Sequence, residues 1–344
     1  GECMTLNDPD PARKQTAHDK SFFDLDDFEQ RIIMSYNQGH APSSLPADTV
    51  HARSLIGPAS GKHRDFSYIA TEIPEFIADN CVGCMDCVTM CPDTAILGKV
   101  VADEQLQEAL LGLDGEDAVE MEGMWPKVNK YWKNREKKGD LPGRFGIFID
   151  PSKCKGCAEC VDVCGSKNAL AMVSKEKKGT EQHSKDWDFY TSLGDTEDQF
   201  INERSVMDIM LKDKSLLYVG GAGSCAGCGE ATALRMMAAA TGYDYGAENF
   251  GIVNSTGCST VYGSTYPYNP WAVPWTNSLF ENGPTDAMGV RARWDQIGWE
   301  EKKLWVIGGD GALYDIGFGA LSRMLASGMN IKVLVLDTQV YSNT

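Results

Sequence analysis

Long apolar runs, basic charge and histidine are all scarce in this chain of 344 residues. No apolar stretch approaches the ~20 residues that a membrane span needs, and Gly1 to Lys14 lacks the apolar centre of a secretory signal. The expectation is a cytosolic protein with no membrane partner. Lys and Arg number 32 against 49 Asp and Glu, a formal charge of -17. A phosphate backbone would meet net repulsion, which argues against a nucleic-acid partner. Of the five histidines, His40, His51 and His63 have no partners at ligand spacing and read as surface residues. The chain is not poor in everything: 42% hydrophobic residues suffice for a sizeable core, and the length leaves room for two domains. Its first residue is Gly1 rather than methionine, which reads as a processed or partial product.

Cysteine is abundant, with twelve copies, and all but Cys3 fall in three tight groups. Reducing thiol pools oppose disulfides in the cytosol, so these groups read as metal ligands. The run Cys81-Val82-Gly83-Cys84-Met85-Asp86-Cys87, closed by Cys91-Pro92, recurs as Cys154-Lys155-Gly156-Cys157-Ala158-Glu159-Cys160, closed by Cys164-Gly165. Each leads into small and apolar residues, so the repeat extends beyond the cysteines. A loop with three cysteines at this spacing wraps three corners of a 4Fe-4S cubane. In two-cluster ferredoxins the fourth cysteine of each run serves the other cluster. The expected sets are Cys81, Cys84, Cys87 with Cys164, and Cys154, Cys157, Cys160 with Cys91. Structural zinc is the alternative, but it has no use for the third and fourth members of each run. Gly165 replaces the proline usual after the fourth cysteine and removes no ligand. The third group, Cys225-Ala226-Gly227-Cys228 with Cys258, does not fit that pattern; alone, the pair suits a zinc half-site or a redox pair.

Residues 1–70 show little periodicity beyond a modest helix from Phe22 to Tyr36 and read as a linker or an arm packing on another unit. Residues 71–190 hold the cysteine repeat, with an acidic, partly helical insertion at 101–144 expected to be exposed and inert. From 191 to 344 the texture becomes strand, glycine-rich turn and helix. Strands are expected at Leu216–Val219, Gly251–Asn254, Leu304–Ile307 and Ile331–Leu336, with helices over Glu230–Ala240 and Tyr314–Ser327. Such alternation implies a parallel sheet, whose ligands sit beyond the carboxyl ends of the strands.

Gly309-Asp310-Gly311 stands at one such end. A lone Gly-Asp-Gly is often only a tight turn, but it also offers close backbone approach, amides facing an anion, and one carboxylate for a divalent metal. The next strand delivers Asp337-Thr338-Gln339-Val340-Tyr341-Ser342-Asn343. The Thr338 hydroxyl and Val340 carbonyl can add the oxygen ligands that magnesium prefers. Acid, helix, strand and asparagine-bearing loop in this order are the layout of a thiamine diphosphate fold.

The blocks Glu72-Ile73-Pro74-Glu75-Phe76, Ala226-Gly227-Cys228-Gly229-Glu230, Ser255-Thr256-Gly257-Cys258-Ser259, Trp275 to Glu281, Asp315-Ile316-Gly317 and Tyr341-Ser342-Asn343-Thr344 resemble those of pyruvate:ferredoxin oxidoreductase. The resemblance covers roughly residues 70–344 and points to the carboxyl-terminal part of the long single-chain form. It implies an α/β thiamine diphosphate-binding domain, a parallel sheet with flanking helices, truncated at its carboxyl end. A small α+β ferredoxin-like domain with two 4Fe-4S clusters would precede it. The resemblance also implies that Cys225, Cys228 and Cys258 hold a third cluster whose fourth cysteine lies outside this chain. Glu230 and Cys258 would contact thiamine diphosphate and, with Asn343, belong to the catalytic set. Gly309, Asp310, Gly311 and Ala312, with Thr338, Gln339, Val340, Tyr341, Ser342 and Asn343, would hold the diphosphate. Asp310, Thr338 and Val340 would hold magnesium.

The implied reaction is coenzyme A-dependent oxidation of pyruvate to acetyl-CoA and carbon dioxide, reversible, with ferredoxin or flavodoxin as electron partner. The family's activating glutamate, and much of its substrate and coenzyme A pockets, lie in amino-terminal domains absent here. The implied partners are therefore those domains or a companion subunit, and a second copy of the complete enzyme in a homodimer. Thiamine diphosphate carries the difficult step itself, which suits a region with no histidine after His183. Two other readings stay open: a different 2-oxoacid as substrate, and a non-catalytic iron-sulfur electron-transfer subunit.

Overall fold

The computed structural model describes residues 24–45, 55–220 and 223–341. Cys3, His51, Ser342 and Asn343 lie outside them.

The cysteine repeat builds a small α+β unit from β1 (Glu72–Phe76), β2 (Ile96–Ala102), β3 (Gly143–Ile149) and β4 (Leu170–Ser174). β1 pairs antiparallel with β4, and β2 with β3. Short helices α1 (Asp86–Met90) and α2 (Glu159–Cys164) begin inside the two runs. The repeat extends to backbone conformation: Gly83 and Gly156 have φ of 72° and 68°, and Met85 and Ala158 have 69° and 66°. Left-handed geometry is unfavourable for Met and Ala, so its recurrence at matching positions marks a shape that the loop must hold.

The insertion differs from expectation. Its charges do face solvent, but Leu106, Leu110 and Met121 are buried on two helices, Asp103–Leu110 and Gly115–Gly123. Trp125 packs on Phe148 at 5.0 Å and Tyr131 stacks on Phe145 at 5.4 Å. Apolar side chains spaced through a charged sequence thus cap the β2–β3 ribbon, and the insertion completes the core. The boundary expected at residue 190 falls inside the helix Glu181–Ser192. Phe189, Tyr190, Phe200, Met210 and Leu211 all pack into this first core.

The second unit runs α3 (Gly229–Tyr245), β5 (Phe250–Ser255), α4 (Cys258–Gly263), β6 (Trp275–Ser278), α5 (Gly283–Gln296), β7 (Lys303–Gly309), α6 (Phe318–Ala326) and β8 (Ile331–Leu336). Its four strands are all parallel, in the order β6-β5-β7-β8. The strand expected at Leu216–Val219 makes only a bridge from Tyr218 to Trp271; Leu217 and Tyr218 are buried and Leu216 and Val219 half-buried, but its backbone pairs with a loop, not the sheet. The helix expected from Tyr314 is divided: a wide turn, Gly311–Ile316, precedes α6. At the junction, a Cβ on Gly317 would lie 2.1 Å from the Ala312 carbonyl.

The described residues of the first seventy pack on both units. Phe28, Ile32, Ile33 and Phe66 form a cluster with Tyr268 of the second unit. The Ala59 amide donates to Trp271 O at 2.7 Å and the Phe66 amide to Ser152 O at 2.7 Å. Among the described residues no helix is long and apolar enough to cross a membrane.

Candidate active site and cluster cradles

The ferredoxin-like unit gathers its thiols across the repeat. Cys81, Cys84, Cys87 and Cys164 line one cavity of about 340 Å³, with Met85, Phe145 and Ile147 as apolar wall. Cys91, from the first run, lies instead beside Cys154, Cys157 and Cys160. Burial pushes the Cys81 thiol up to about 11 and the Cys154 thiol up to about 12, and raises Cys87 and Cys160 as well. Neighbouring thiols add to each shift, because packed thiolates repel one another in an apolar setting. Backbone amides oppose it: Gly83 leans on Cys81, and Gly156 on Cys154. The Ala95 amide donates to Cys91 Sγ and the Ala169 amide to Cys164 Sγ, each at 3.3 Å. Four thiols around a cavity, with amides turned toward sulfur, suit a sulfur-rich cluster bearing cationic iron. Among the described residues no three His, Cys, Asp or Glu side chains close on a point fit for a single ion. Zinc would draw four sulfurs to ~2.3 Å of one centre.

At the carboxyl ends of β5 and β7 opens a cleft of about 370 Å³. Glu230, Thr256, Gly257, Cys258, Phe280, Gly309, Asp310, Gly311, Ala312, Thr338, Val340 and Tyr341 line it. A wider cleft of about 1300 Å³ shares Glu230, Cys258 and Thr338 and adds Cys225, Cys228 and Asp337. Cys225 and Cys228, and Cys258 about thirty residues further on, thus face one space.

Thr338 donates from both its amide and its hydroxyl to Asp310 Oδ1 at 3.3 Å, and its hydroxyl lies 3.0 Å from the Val340 carbonyl. A carboxylate, a hydroxyl and a carbonyl therefore converge, a donor set that fits a hard divalent cation. Gly309 leaves the backbone open, since a Cβ there would meet nothing nearer than 3.8 Å. At Gly311 the space is taken instead, since a Cβ would meet the Tyr341 ring at 2.0 Å and the ring would have to move. Gln339 adopts φ 60° with its amide on Asp337 Oδ1 at 3.1 Å, and does not line the cleft. Burial raises the Glu230 carboxyl, a hydrogen bond from Tyr262 Oη at 2.9 Å opposes this, and the charge of Asp310 adds to it.

Tyr262 as the partner of Glu230 could not be read from the sequence, where 32 residues separate them. Tyr262 is buried at the wall of the wider cleft, Trp271 is buried in the core beside it, and Phe280 reaches the narrower cleft. Also unforeseen is the contact between units. Gly227, between Cys225 and Cys228, has φ 73°, and a Cβ there would lie 3.0 Å from Glu159 and 3.6 Å from Cys157. The Cys225–Cys228 loop is thereby seated against the second thiol quartet.

Two interleaved thiol quartets on a ferredoxin-like unit and an acid-turn cleft on a parallel sheet define an iron-sulfur, thiamine diphosphate-binding class of protein. Residues 80–168 match the 4Fe-4S dicluster domain, and residues 255–344 match the thiamine pyrophosphate enzyme C-terminal TPP binding domain. The pyruvate-flavodoxin oxidoreductase of Nostoc sp. strain PCC 7120 is 28% identical, over 88% of this chain and 30% of its own length. The pyruvate:ferredoxin oxidoreductase of Moorella thermoacetica is 28% identical, over 92% of this chain and 31% of its own length. The resemblance to the pyruvate:ferredoxin (flavodoxin) oxidoreductases thus extends along most of the chain, through the iron-sulfur and thiamine-binding parts. The chain spans about a third of the length of the curated relatives it matches. A solved 2-oxoglutarate:ferredoxin oxidoreductase from Magnetococcus marinus overlaps 28% of this chain and 29% of its own, at 21% identity and a TM-score of 0.23. An overlap of that extent supports no conclusion about this chain.

Proposed function

We propose that this chain is the electron-carrying and thiamine-binding part of an enzyme that oxidises pyruvate, with coenzyme A as acyl acceptor and ferredoxin or flavodoxin as electron acceptor. The supporting observation is the meeting of Cys225, Cys228 and Cys258 with Glu230, Asp310 and Thr338 around two connected clefts. In this reading each thiol quartet holds a 4Fe-4S cluster. Cys225, Cys228 and Cys258 hold a third, with a fourth thiolate from outside this chain. Asp310, Thr338 and the Val340 carbonyl hold magnesium, while the backbone of Gly309 to Ala312 and the loop from Thr338 to Asn343 hold the diphosphate. Bound there, thiamine diphosphate supplies an electron sink for loss of carbon dioxide, and the clusters supply one-electron carriers.

The chain's own residues orient and insulate. Tyr262 fixes the Glu230 carboxyl toward the cleft, and Cys258 stands at the wall shared by the two clefts. The complete enzyme is a cytoplasmic homodimer with its remaining domains in the same chain or a companion subunit, acting without nucleic acid or membrane.

The test uses the complete enzyme, supplied with labelled pyruvate and coenzyme A, and follows carbon dioxide and ferredoxin reduction in one sample. Cys258→Ser is expected to stop ferredoxin reduction while some carbon dioxide release persists. Normal ferredoxin reduction by that variant would show that electrons leave by another route. A purified complex containing no thiamine would favour the electron-transfer subunit instead. Faster turnover of 2-oxoglutarate or a branched-chain acid would reassign the substrate.

A further inference from the structure

Arg235 is buried, 3% exposed, on the face of α3 that meets the ferredoxin-like unit. Its Nη1 donates to the carbonyls of Val88 at 2.8 Å, Thr89 at 3.5 Å, and Cys91. Those carbonyls lie at the end of α1, where the helix dipole is negative. Among the described residues Arg235 makes no ion pair. The nearby buried carboxylate, Asp93, is taken by Lys155 Nζ at 2.8 Å and by the Ser224 hydroxyl at 3.1 Å. The region therefore buries two cations and one carboxylate. The charge of Asp93 reaches Arg235, but that one carboxylate is shared with Lys155. A buried guanidinium so incompletely balanced is costly, and carbonyl dipoles offset only part of that cost.

We propose that Arg235 is a positioning residue whose counter-charge is the cluster held by Cys91, Cys154, Cys157 and Cys160, and that it raises that cluster's reduction potential. The inference rests on the assignment of a 4Fe-4S cluster to that quartet. A cubane with four thiolate ligands is anionic and becomes more so on reduction, so a fixed buried cation favours the reduced form. Charge and hydrogen bonding near the sulfurs are the levers by which a protein sets such potentials. Beside the other quartet Lys167 acts on Cys81 and Cys84, but it is partly exposed and shares its charge with Asp86 at 2.8 Å. Arg235 hydrogen-bonds the backbone of Cys91 itself, so its effect is expected chiefly on the Cys91 cluster.

The experiment is a redox titration of the full chain with both clusters in place, followed by electron paramagnetic resonance. Arg235→Gln is expected to make reduction of the Cys91 cluster at least tenfold less favourable, about 59 mV for one electron, and to leave the Cys81 cluster unmoved. Arg235→Lys, which keeps the charge, should restore most of the difference. Asp93→Asn leaves Arg235 in place and should move the same signal upward, which keeps the proposal open to test if Arg235→Gln does not fold. Intact clusters with an unmoved potential in Arg235→Gln, or no upward shift in Asp93→Asn, would overturn it. Absence of clusters in the unsubstituted chain would instead sink the cluster assignment on which it rests.

Discussion

The amide of Ala169 donates to the sulfur of Cys164 at 3.3 Å, as that of Ala95 does to Cys91, although the second run carries one residue more between the two partners. Gly165, at φ 53° and ψ -130°, absorbs the difference. The glycine that replaces proline there is thus what lets both repeats present their fourth cysteine alike.

Because Cys91 sits among the thiols of the other run, Cys91→Ala should damage the cluster associated with Cys154, Cys157 and Cys160. The cluster associated with Cys81, Cys84 and Cys87 should survive. Iron and acid-labile sulfide should each fall by one cluster's worth, ~4 atoms, with one paramagnetic signal lost. About two zinc ions and no sulfide in the unsubstituted protein would defeat the assignment.

Asp310 supplies the carboxylate of the oxygen set around Thr338. Asp310→Ala is expected to weaken magnesium-dependent thiamine diphosphate binding by a factor of about ten or more, since the diphosphate charge is left poorly neutralised. Cluster content should not change. Calorimetric titration with the cofactor and magnesium measures the first effect, and visible absorbance the second.

A Cβ added to Gly61 would lie 2.9 Å from Val219 O, 3.0 Å from Gly220 O and 3.3 Å from Asn269 O. These are backbone atoms that cannot turn aside. Gly61→Ala should destabilise the protein by about 1–3 kcal/mol. Early proteolysis of the arm, ahead of the rest of the chain, would report it.

Burial raises the Asp186 carboxyl to about 6, with a contribution from Glu120, while Gln182 opposes the shift through a hydrogen bond. A carboxyl raised on folding binds its proton more tightly in the native state, so its contribution to stability is full below about pH 4 and is lost as pH rises through about 6. Asp186→Asn should remove that loss and stabilise the protein at pH 7 by about 1 kcal/mol, after allowance for solvent screening. Denaturant midpoints of both proteins at pH 4 and pH 7 provide the check, and an equal difference at the two pH values would refute it.

The sequence makes the chemistry more legible than the packing. Cysteine spacing makes both runs legible, because ligand geometry leaves its imprint on spacing, whereas the crossing of their fourth members is expected only from the analogy to two-cluster ferredoxins. The strand ends at Gly309 and Leu336 are readable because β7 and β8 are short apolar runs closed by turn residues. Helix α5 goes undeclared although Pro284 stands in its first turn, where proline favours helix initiation. Its polar sequence has no stripe strong enough to announce it. The buried role of Trp125 and Tyr131 is hidden by the charges around them, and the contacts of Arg235 by some 145 residues of intervening chain.

The arm binds the thiamine half through Ala59 and the Ser60 hydroxyl, and the cysteine-rich half through the Phe66 amide. Thr232 and Arg235 join those halves a second time, through the carbonyls of Met90 and Val88. Neither half can open fully without surrendering hydrogen bonds that belong to the other. The two cores are therefore thermodynamically coupled, so the distance between the thiol-bearing loops is held by the cooperativity of the whole chain and is not left to a flexible tether.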